Sequence, residues 1–317
     1  MSNGNREFSI DYERLKEISA RAYHAYEDGR GIFKHKERFL PQWAIPPEIE
    51  YEPQMAETRL SNRAGNYLFV LASMEKKSQT KQNIKNGLKT WANPETRWIF
   101  SPEEVVQRNL REIKQVLSQN LRYTINNFSS NFLSNNHMMV DEYEGYAKNI
   151  IDGQTVEESR RRLMMFKGIG TGIANLYIIY CTDRQIAQVQ DPEEMRLKVD
   201  IHKARVPTNT NAVLPANGRV RRDLLVPALE ASYLQVCRDE GFNRGRLDSA
   251  LWLIGSQICV KKDMAQCVSL CPLEKLCVSC VREDNTTGEL VVLENGRRVE
   301  TRKGVEQFHL NVGLYPE

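Results

Sequence analysis

A dense group of cysteines limits most what this chain can fold into. Five of its seven cysteines lie between residues 259 and 280. No apolar leader or membrane-length segment is visible, so we expect a cytoplasmic chain, where clustered cysteines indicate metal rather than disulfides. The first four of them are separated by seven, three and five residues, which is wider than the paired Cys-x2-Cys pattern of zinc sites and favours an iron–sulfur cluster. A zinc ion and cysteines without metal are the alternatives.

A glycine-rich turn joins two predicted helices. The stretch from residue 166 to 175 reads FKGIGTGIAN, in which two glycines permit a tight turn and the isoleucine between them can point inward. The turn's amides and the positive end of the next helix would then face outward, which predicts a phosphate site that ignores base sequence. An ordinary turn between packed helices is the alternative. The candidate DNA-binding residues are Lys167, Gly168, Ile169, Gly170 and Thr171.

An acidic residue opens a further predicted helix. The stretch from residue 199 to 206 reads VDIHKARV, so that Asp200 is followed closely by His202 and Arg205. In isolation Asp200 could be a simple N-cap. Its position shortly after the glycine turn makes it a candidate for chemistry.

In this order, the three segments resemble the helix-hairpin-helix DNA glycosylase superfamily, specifically its endonuclease III-like branch with a [4Fe–4S] cluster. Residues 166–175 are similar to the family hairpin Leu-Pro-Gly-Val-Gly-x-Lys-Thr-Ala-Asn, and residues 199–206 to its Val-Asp-Thr-His-x-x-Arg-Val segment. Residues 252–255 and 271–273 repeat the Trp-Leu-Ile-Gly and Cys-Pro-Leu steps around the cluster. The resemblance covers about residues 66 to 280.

The resemblance implies an enzyme that flips a base out of duplex DNA and cuts its N-glycosidic bond. Asp200 would stabilise the cation-like sugar and activate water. Compared with the family's spacing of cluster cysteines, this chain has two single-residue insertions, so Cys280 could replace Cys259 or Cys267 as a ligand. The favoured cluster ligands are Cys259, Cys267, Cys271 and Cys277.

One departure from the family concerns the reaction type. Bifunctional members carry a lysine two residues after the second hairpin glycine, and this chain has Gly172 there. Because glycine cannot form a Schiff base, we expect a monofunctional glycosylase that leaves an intact abasic site and lacks lyase activity. Lys167 and Lys203 are interpreted as phosphate contacts, not nucleophiles.

In this family, one residue acts as a wedge that fills the gap left in the duplex by the flipped base. The resemblance places that wedge within residues 73–80. Gln79, in a Ser-Gln-Thr step like the family's, is the candidate wedge. Glu75 is a candidate second catalytic acid, as in adenine-excising relatives. The alternative is a solvated helix end where Lys76 and Lys77 contact phosphates.

The predicted fold is mainly α. A six-helix barrel with the hairpin would occupy residues 66–180, and residues 1–65 with 181–280 would form a helical domain that holds the cluster. DNA would bind in the cleft between them. Residues 281–317 would form a tail with a small β-hairpin, and the insertion at 182–198 has no assigned role.

Local signals predict several elements. Ser101 and Pro102 start a helix that reaches Leu117, and a second helix is expected over residues 141–151. In the tail, Leu290 to Leu293 and Arg298 to Arg302 flank the turn signal Asn295-Gly296, which predicts that these two segments pair.

Charge does not identify the partner, because the net charge is only +3. From the resemblance we expect a monomer in the cytoplasm, at the nucleoid, that binds double-stranded DNA and no membrane. The rivals are a non-catalytic iron–sulfur DNA-binding protein, a zinc-stabilised interaction protein, and a glycosylase for an enzymatically modified base. The target base is left open.

Overall fold

The computed structural model describes residues 7–50, 57–75, 80–124, 127–195, 197–260, 264–278, 281–284, 289–292, 298–300 and 306–308. Thirteen α-helices lie in these residues: α1 Tyr12–Glu27, α2 Pro47–Glu50, α3 Glu57–Ser73, α4 Thr80–Ala92, α5 Pro102–Val105, α6 Leu110–Gln119, α7 Phe128–Tyr143, α8 Val156–Leu163, α9 Thr171–Asp183, α10 Ile201–Asn209, α11 Arg222–Glu240, α12 Arg244–Leu253 and α13 Met264–Leu270. A π-helix, Ile254–Cys259, continues α12. The mainly helical class is therefore confirmed, and across the described stretches no helix is long and apolar enough to cross a bilayer.

Within the described residues, seven short strands form three antiparallel sheets. They are β1 Phe8–Ile10, β2 Val213–Pro215, β3 Arg219–Arg221, β4 Val281–Asp284, β5 Glu289–Val292, β6 Arg298–Glu300 and β7 Glu306–Phe308. β1 pairs with β2, β5 lies between β3 and β4, and β6 pairs with β7.

The chain divides into two compact units. The central unit contains residues 35–195, and the terminal unit contains residues 1–34 with 196–317. The unit boundaries expected from sequence lie at residues 66 and 180 instead. In the terminal unit, Ser9 of β1 faces Leu214 of β2, so the start of the chain is bound to its second half.

The central unit is built around α3 and α9. Residues 64–73 of α3 and nearly all of residues 174–181 of α9 are buried, among them Tyr67, Leu71 and Tyr177. The Tyr177 hydroxyl donates a hydrogen bond to the Gly65 carbonyl (3.2 Å), so the one polar atom of that ring is satisfied.

The terminal unit packs α10 against α12 and the π-helix. The contact is closest at Gly255, where a Cβ would lie 2.0 Å from the carbonyl oxygen of His202. Only a glycine permits this approach of two backbones.

Two predicted helices differ from the structure. The helix expected over Pro102 to Leu117 is two helices, because Asn109 forms a capping box with Glu112 and starts α6. The helix expected over residues 141–151 does not form as such. The preceding α7 runs to Tyr143 and ends where Glu144 adopts a left-handed φ of 58°.

The predicted strand pairing in the tail is also wrong. β5 already has β3 and β4 as neighbours, so it cannot pair with β6. Burial explains the choice, since Leu290 of β5 lies directly opposite Val220 of β3 and both are buried. The turn signal Asn295-Gly296 lies outside the described residues.

Candidate functional site

The glycine turn lies between α8 and α9. Gly168 has a φ of +82°, a conformation that favours glycine. Ile169 is buried, and its N–H donates to the Phe166 carbonyl (3.0 Å). Lys167, Gly170 and Thr171 are exposed. The turn therefore anchors one apolar side chain inward and presents its remaining residues to solvent.

The turn is held in place from α7. The Asn135 side chain accepts a hydrogen bond from the Lys167 N–H (2.8 Å) and donates one to the Lys167 carbonyl (3.0 Å). On the other side, Arg160 donates to the Asn175 side chain (2.9 Å) and forms an ion pair with Glu157. These contacts fix the turn before any ligand binds.

The start of α9 is available to an anion. Gly170 is its N-cap and provides no side-chain hydrogen bond to the first turn. Gly170 has an ordinary φ of −100°, and no described atom lies within 4 Å of the position of a Cβ. The fold itself therefore does not require glycine there, whereas a phosphate approaching the amides would.

We therefore expect Gly170→Ala to weaken duplex DNA binding at least about fivefold while changing the free energy of unfolding by less than about 1 kcal/mol. Gly168→Ala should instead cost about 1–2 kcal/mol of stability because of its positive φ. Fluorescence anisotropy and urea unfolding measure the two effects. Equal DNA affinity of Gly170→Ala and wild type would contradict a phosphate site at this turn.

Asp200 occupies the N-cap of α10. Its Oδ1 accepts a hydrogen bond from the Lys203 N–H (3.0 Å), and the residue is half-buried. Among the described residues, its other carboxylate oxygen has no hydrogen-bond partner. The N-cap interpretation is thus correct as geometry, and it leaves one oxygen for a ligand.

Lys203 is buried in an ion pair, which corrects the phosphate-contact role expected from sequence. Its Nζ lies 2.6 Å from Oδ1 of Asp248 on α12 and donates to the Lys198 carbonyl (2.6 Å). The two side chains are only 5% and 7% exposed. Burial raises the pKa of the Asp248 carboxyl, and the ammonium of Lys203 opposes that rise. This pair ties the segment that carries Asp200 to α12.

His202 and Arg205, which also match the family segment, contact each other. The Arg205 guanidinium lies 3.0 Å from Nδ1 of His202 and can only donate, so Nδ1 is the acceptor.

An open groove runs past this segment in the terminal unit. It has a volume of about 730 Å³, within the range of small-molecule sites. One of its lining residues, Val199, directly precedes Asp200. The sequence analysis did not identify the groove, since its walls come from three separate segments. They are Val199, Arg221, Arg222, Asp223, Val226, Pro227 and Glu289.

The four favoured cysteines lie in one segment of the terminal unit. Cys259 ends the π-helix, and Cys271 follows Cys267 by one turn, with its N–H donating to the Cys267 carbonyl (3.1 Å). Cys277 follows a short 3-10 helix and is buried, and the other three are half-buried. Cys280 lies outside the described residues, as do Lys261 and Lys262.

The donor set fits an iron–sulfur cluster, because thiolates are its usual ligands and one binds each iron. In the part of the chain that is described, no three Cys, His, Asp or Glu side chains converge as ligands of a single metal ion do.

The two other cysteines in the described residues are buried away from this segment of sequence. Burial raises the pKa of Cys181 and of Cys237 to about 12, which keeps them as thiols.

Glu75 lies at the end of α3 in the central unit. Its carboxylate accepts hydrogen bonds from the Thr80 hydroxyl (2.6 Å) and from the Asn83 side chain (3.2 Å). Burial raises its pKa despite these two donors. A carboxyl that retains its proton more readily than usual has the property a general acid needs. The candidate wedge Gln79, with Lys76 and Lys77, lies outside the described residues.

Tyr123 places a second buried polar group in the central unit, which the sequence did not indicate. Its hydroxyl is buried without a hydrogen-bond partner in the described part of the chain. Burial and the nearby charge of Glu75 raise its pKa to about 12. A buried hydroxyl without a partner is costly, and a ligand that accepts its hydrogen bond would remove that cost. No local pattern in the Asn-rich segment around Tyr123 indicates this role.

Comparison with known proteins does not identify a family. No family model matches the chain, and no curated protein shows significant similarity to it.

Proposed function

We propose that this protein is a monofunctional DNA N-glycosylase of the helix-hairpin-helix type, with a six-helix barrel over residues 66–180 and a [4Fe–4S] cluster. The observation that carries the proposal is Asp200, a half-buried carboxylate fixed at one oxygen by the Lys203 N–H and uncommitted at the other. A carboxylate so placed can face positive charge that develops on a sugar.

Each step of the proposed reaction is assigned to residues of this chain. The turn from Lys167 to Thr171 binds backbone phosphate through the amides at the start of α9. Asp200 stabilises the cation-like sugar as the base leaves and accepts a proton from the attacking water. Glu75, whose carboxyl pKa is raised by burial, is the candidate second acid. Gly172 offers no amine, so the abasic sugar is released without strand cleavage.

The cluster would be held by Cys259, Cys267, Cys271 and Cys277. When bound, it would fix the loop between α12 and the tail, which is a structural contribution. The proposed partner is double-stranded DNA.

The direct test is mass spectrometry of free bases released from damaged and natively modified DNA. We expect wild type to release a base and Asp200→Asn to release none, with DNA affinity changed by less than about threefold. Asparagine is as good an N-cap as aspartate, so the fold of α10 is preserved and the two proteins form a matched pair. Equal release by both would remove Asp200 from the mechanism.

A non-catalytic DNA-binding protein is the second candidate. The N-cap bond of Asp200 favours it, since that bond alone would explain an aspartate at this position. This candidate predicts no released base and equal, salt-sensitive DNA binding by wild type and Asp200→Asn.

A further inference from the structure

Helix α4 exposes a row of lysines. Lys81, Lys85 and Lys89 are all exposed and are four residues apart. Each step of four residues advances about 6 Å along a helix and turns by about 40°, so the three ammonium groups follow one side of α4. We call Lys81, Lys85 and Lys89 the lysine row.

The lysine row is unfavourable for the helix that carries it. Like charges four residues apart destabilise a helix by roughly 0.2–0.5 kcal/mol per pair. The sequence of α4, TKQNIKNGLKTWA, has no acidic residue, and no described carboxylate forms an ion pair with the row. On α8, by contrast, Glu158 pairs with both Arg161 and Arg162. Few contacts within the described residues engage the row, apart from the favourable position of Lys89 in the last turn of α4, and this points to an anionic partner outside the chain.

The position of the row relates it to Glu75. Thr80, directly before Lys81, donates its hydroxyl hydrogen bond to the Glu75 carboxylate. The Lys81 ammonium lies 5.4 Å from the centroid of the Phe39 ring, a cation–π contact that orients the first member of the row. The row therefore begins beside the candidate acid and runs away from it along α4.

We propose that the lysine row binds the phosphate backbone of duplex DNA that flanks the flipped base. The row is roughly 12 Å long, and one DNA strand carries a phosphate every 3.4 Å along the axis, so about three phosphates lie within its reach. A regular row of cations matches a regularly charged polyanion. This inference rests on the proposed DNA glycosylase function and assigns part of the DNA path to α4.

The test compares two double variants that remove equal charge from the same unit. Lys85→Gln/Lys89→Gln removes two members of the row. Arg111→Gln/Lys114→Gln removes two exposed cations from α6, a helix that also carries Glu112. Glutamine has a helix propensity close to that of lysine, so both variants should fold. Affinity for a random-sequence duplex is measured over a series of salt concentrations.

We expect the slope of log K against log salt to become less negative by about 1.8 in the row variant, which corresponds to two lost phosphate contacts. The α6 variant should leave this slope unchanged. An unchanged slope in the row variant, or an equal change in both, would overturn the inference. So would tighter binding of single-stranded RNA than of duplex through the row.

This readout does not depend on catalysis. If wild type releases a base but the row variant keeps its salt slope, the inference fails and the proposed function stands. If wild type releases no base and the row variant makes the slope less negative, the DNA-contacting row stands and the catalytic proposal fails.

Discussion

Replacing Lys203 by methionine is expected to lower the free energy of unfolding of the terminal unit by about 3–5 kcal/mol, because the substitution leaves the carboxylate of Asp248 buried without its partner. The ion pair is 2.6 Å long and both side chains are nearly inaccessible to water. The double variant Lys203→Met/Asp248→Leu should recover most of that loss, since it removes both charges and fills their volume. Urea unfolding followed by circular dichroism measures both effects.

A second ion pair supplies the control. Arg221 and Asp223 also lie 2.6 Å apart, but their side chains are 52% and 62% exposed. Breaking that pair with Asp223→Asn should cost less than about 1 kcal/mol. A similar small cost for Lys203→Met would show that the terminal unit tolerates a buried unpaired charge, and that the pair does not hold Asp200 in place.

Gly255→Ala is expected to destabilise the terminal unit by about 3 kcal/mol and to deplete the protein of iron. A methyl group at residue 255 would lie 2.0 Å from the His202 carbonyl oxygen, so α10 and the π-helix must separate. The same π-helix ends at Cys259, a proposed cluster ligand. Iron and acid-labile sulfide are measured together with unfolding.

Gly170→Ala is the matched control, because the methyl group there meets no described atom within 4 Å. Wild type and Gly170→Ala should contain iron and sulfide in equal amounts. Zinc without acid-labile sulfide in wild type would show that the cysteines bind a zinc ion and not a cluster. Full iron content in an unstable Gly255→Ala variant would mean that the cysteine segment is independent of the contact with α10.

The sequence predicts this structure best where the signal is local. The helical class follows from periodicity, and the turn at Gly168 follows from the glycine pair itself. Asp200 was identified as the start of a helix because capping depends on the next three residues. The two wrong helix predictions also have a local cause. Asn109 and Glu144 interrupt helices that apolar periodicity alone extends across them.

Other features that the sequence did not indicate join distant residues. Lys203 was interpreted as a phosphate contact. Lysine is rarely buried, and only Asp248 on another helix makes the burial of Lys203 possible. The partner strand of β5 depends on Val220, which belongs to a different part of the chain. Tyr123 and Glu75 are brought together by packing of segments that share no pattern.

The chain's own residues thus determined its helices, the hairpin turn, the cysteine-rich segment and the capping role of Asp200, because each depends on neighbours within a turn or two of backbone. Only the tertiary structure decided which charges are buried, which glycine must stay small and which lysines stay exposed. Those properties depend on which faces pack together, and packing couples residues whose separation along the chain leaves no local trace.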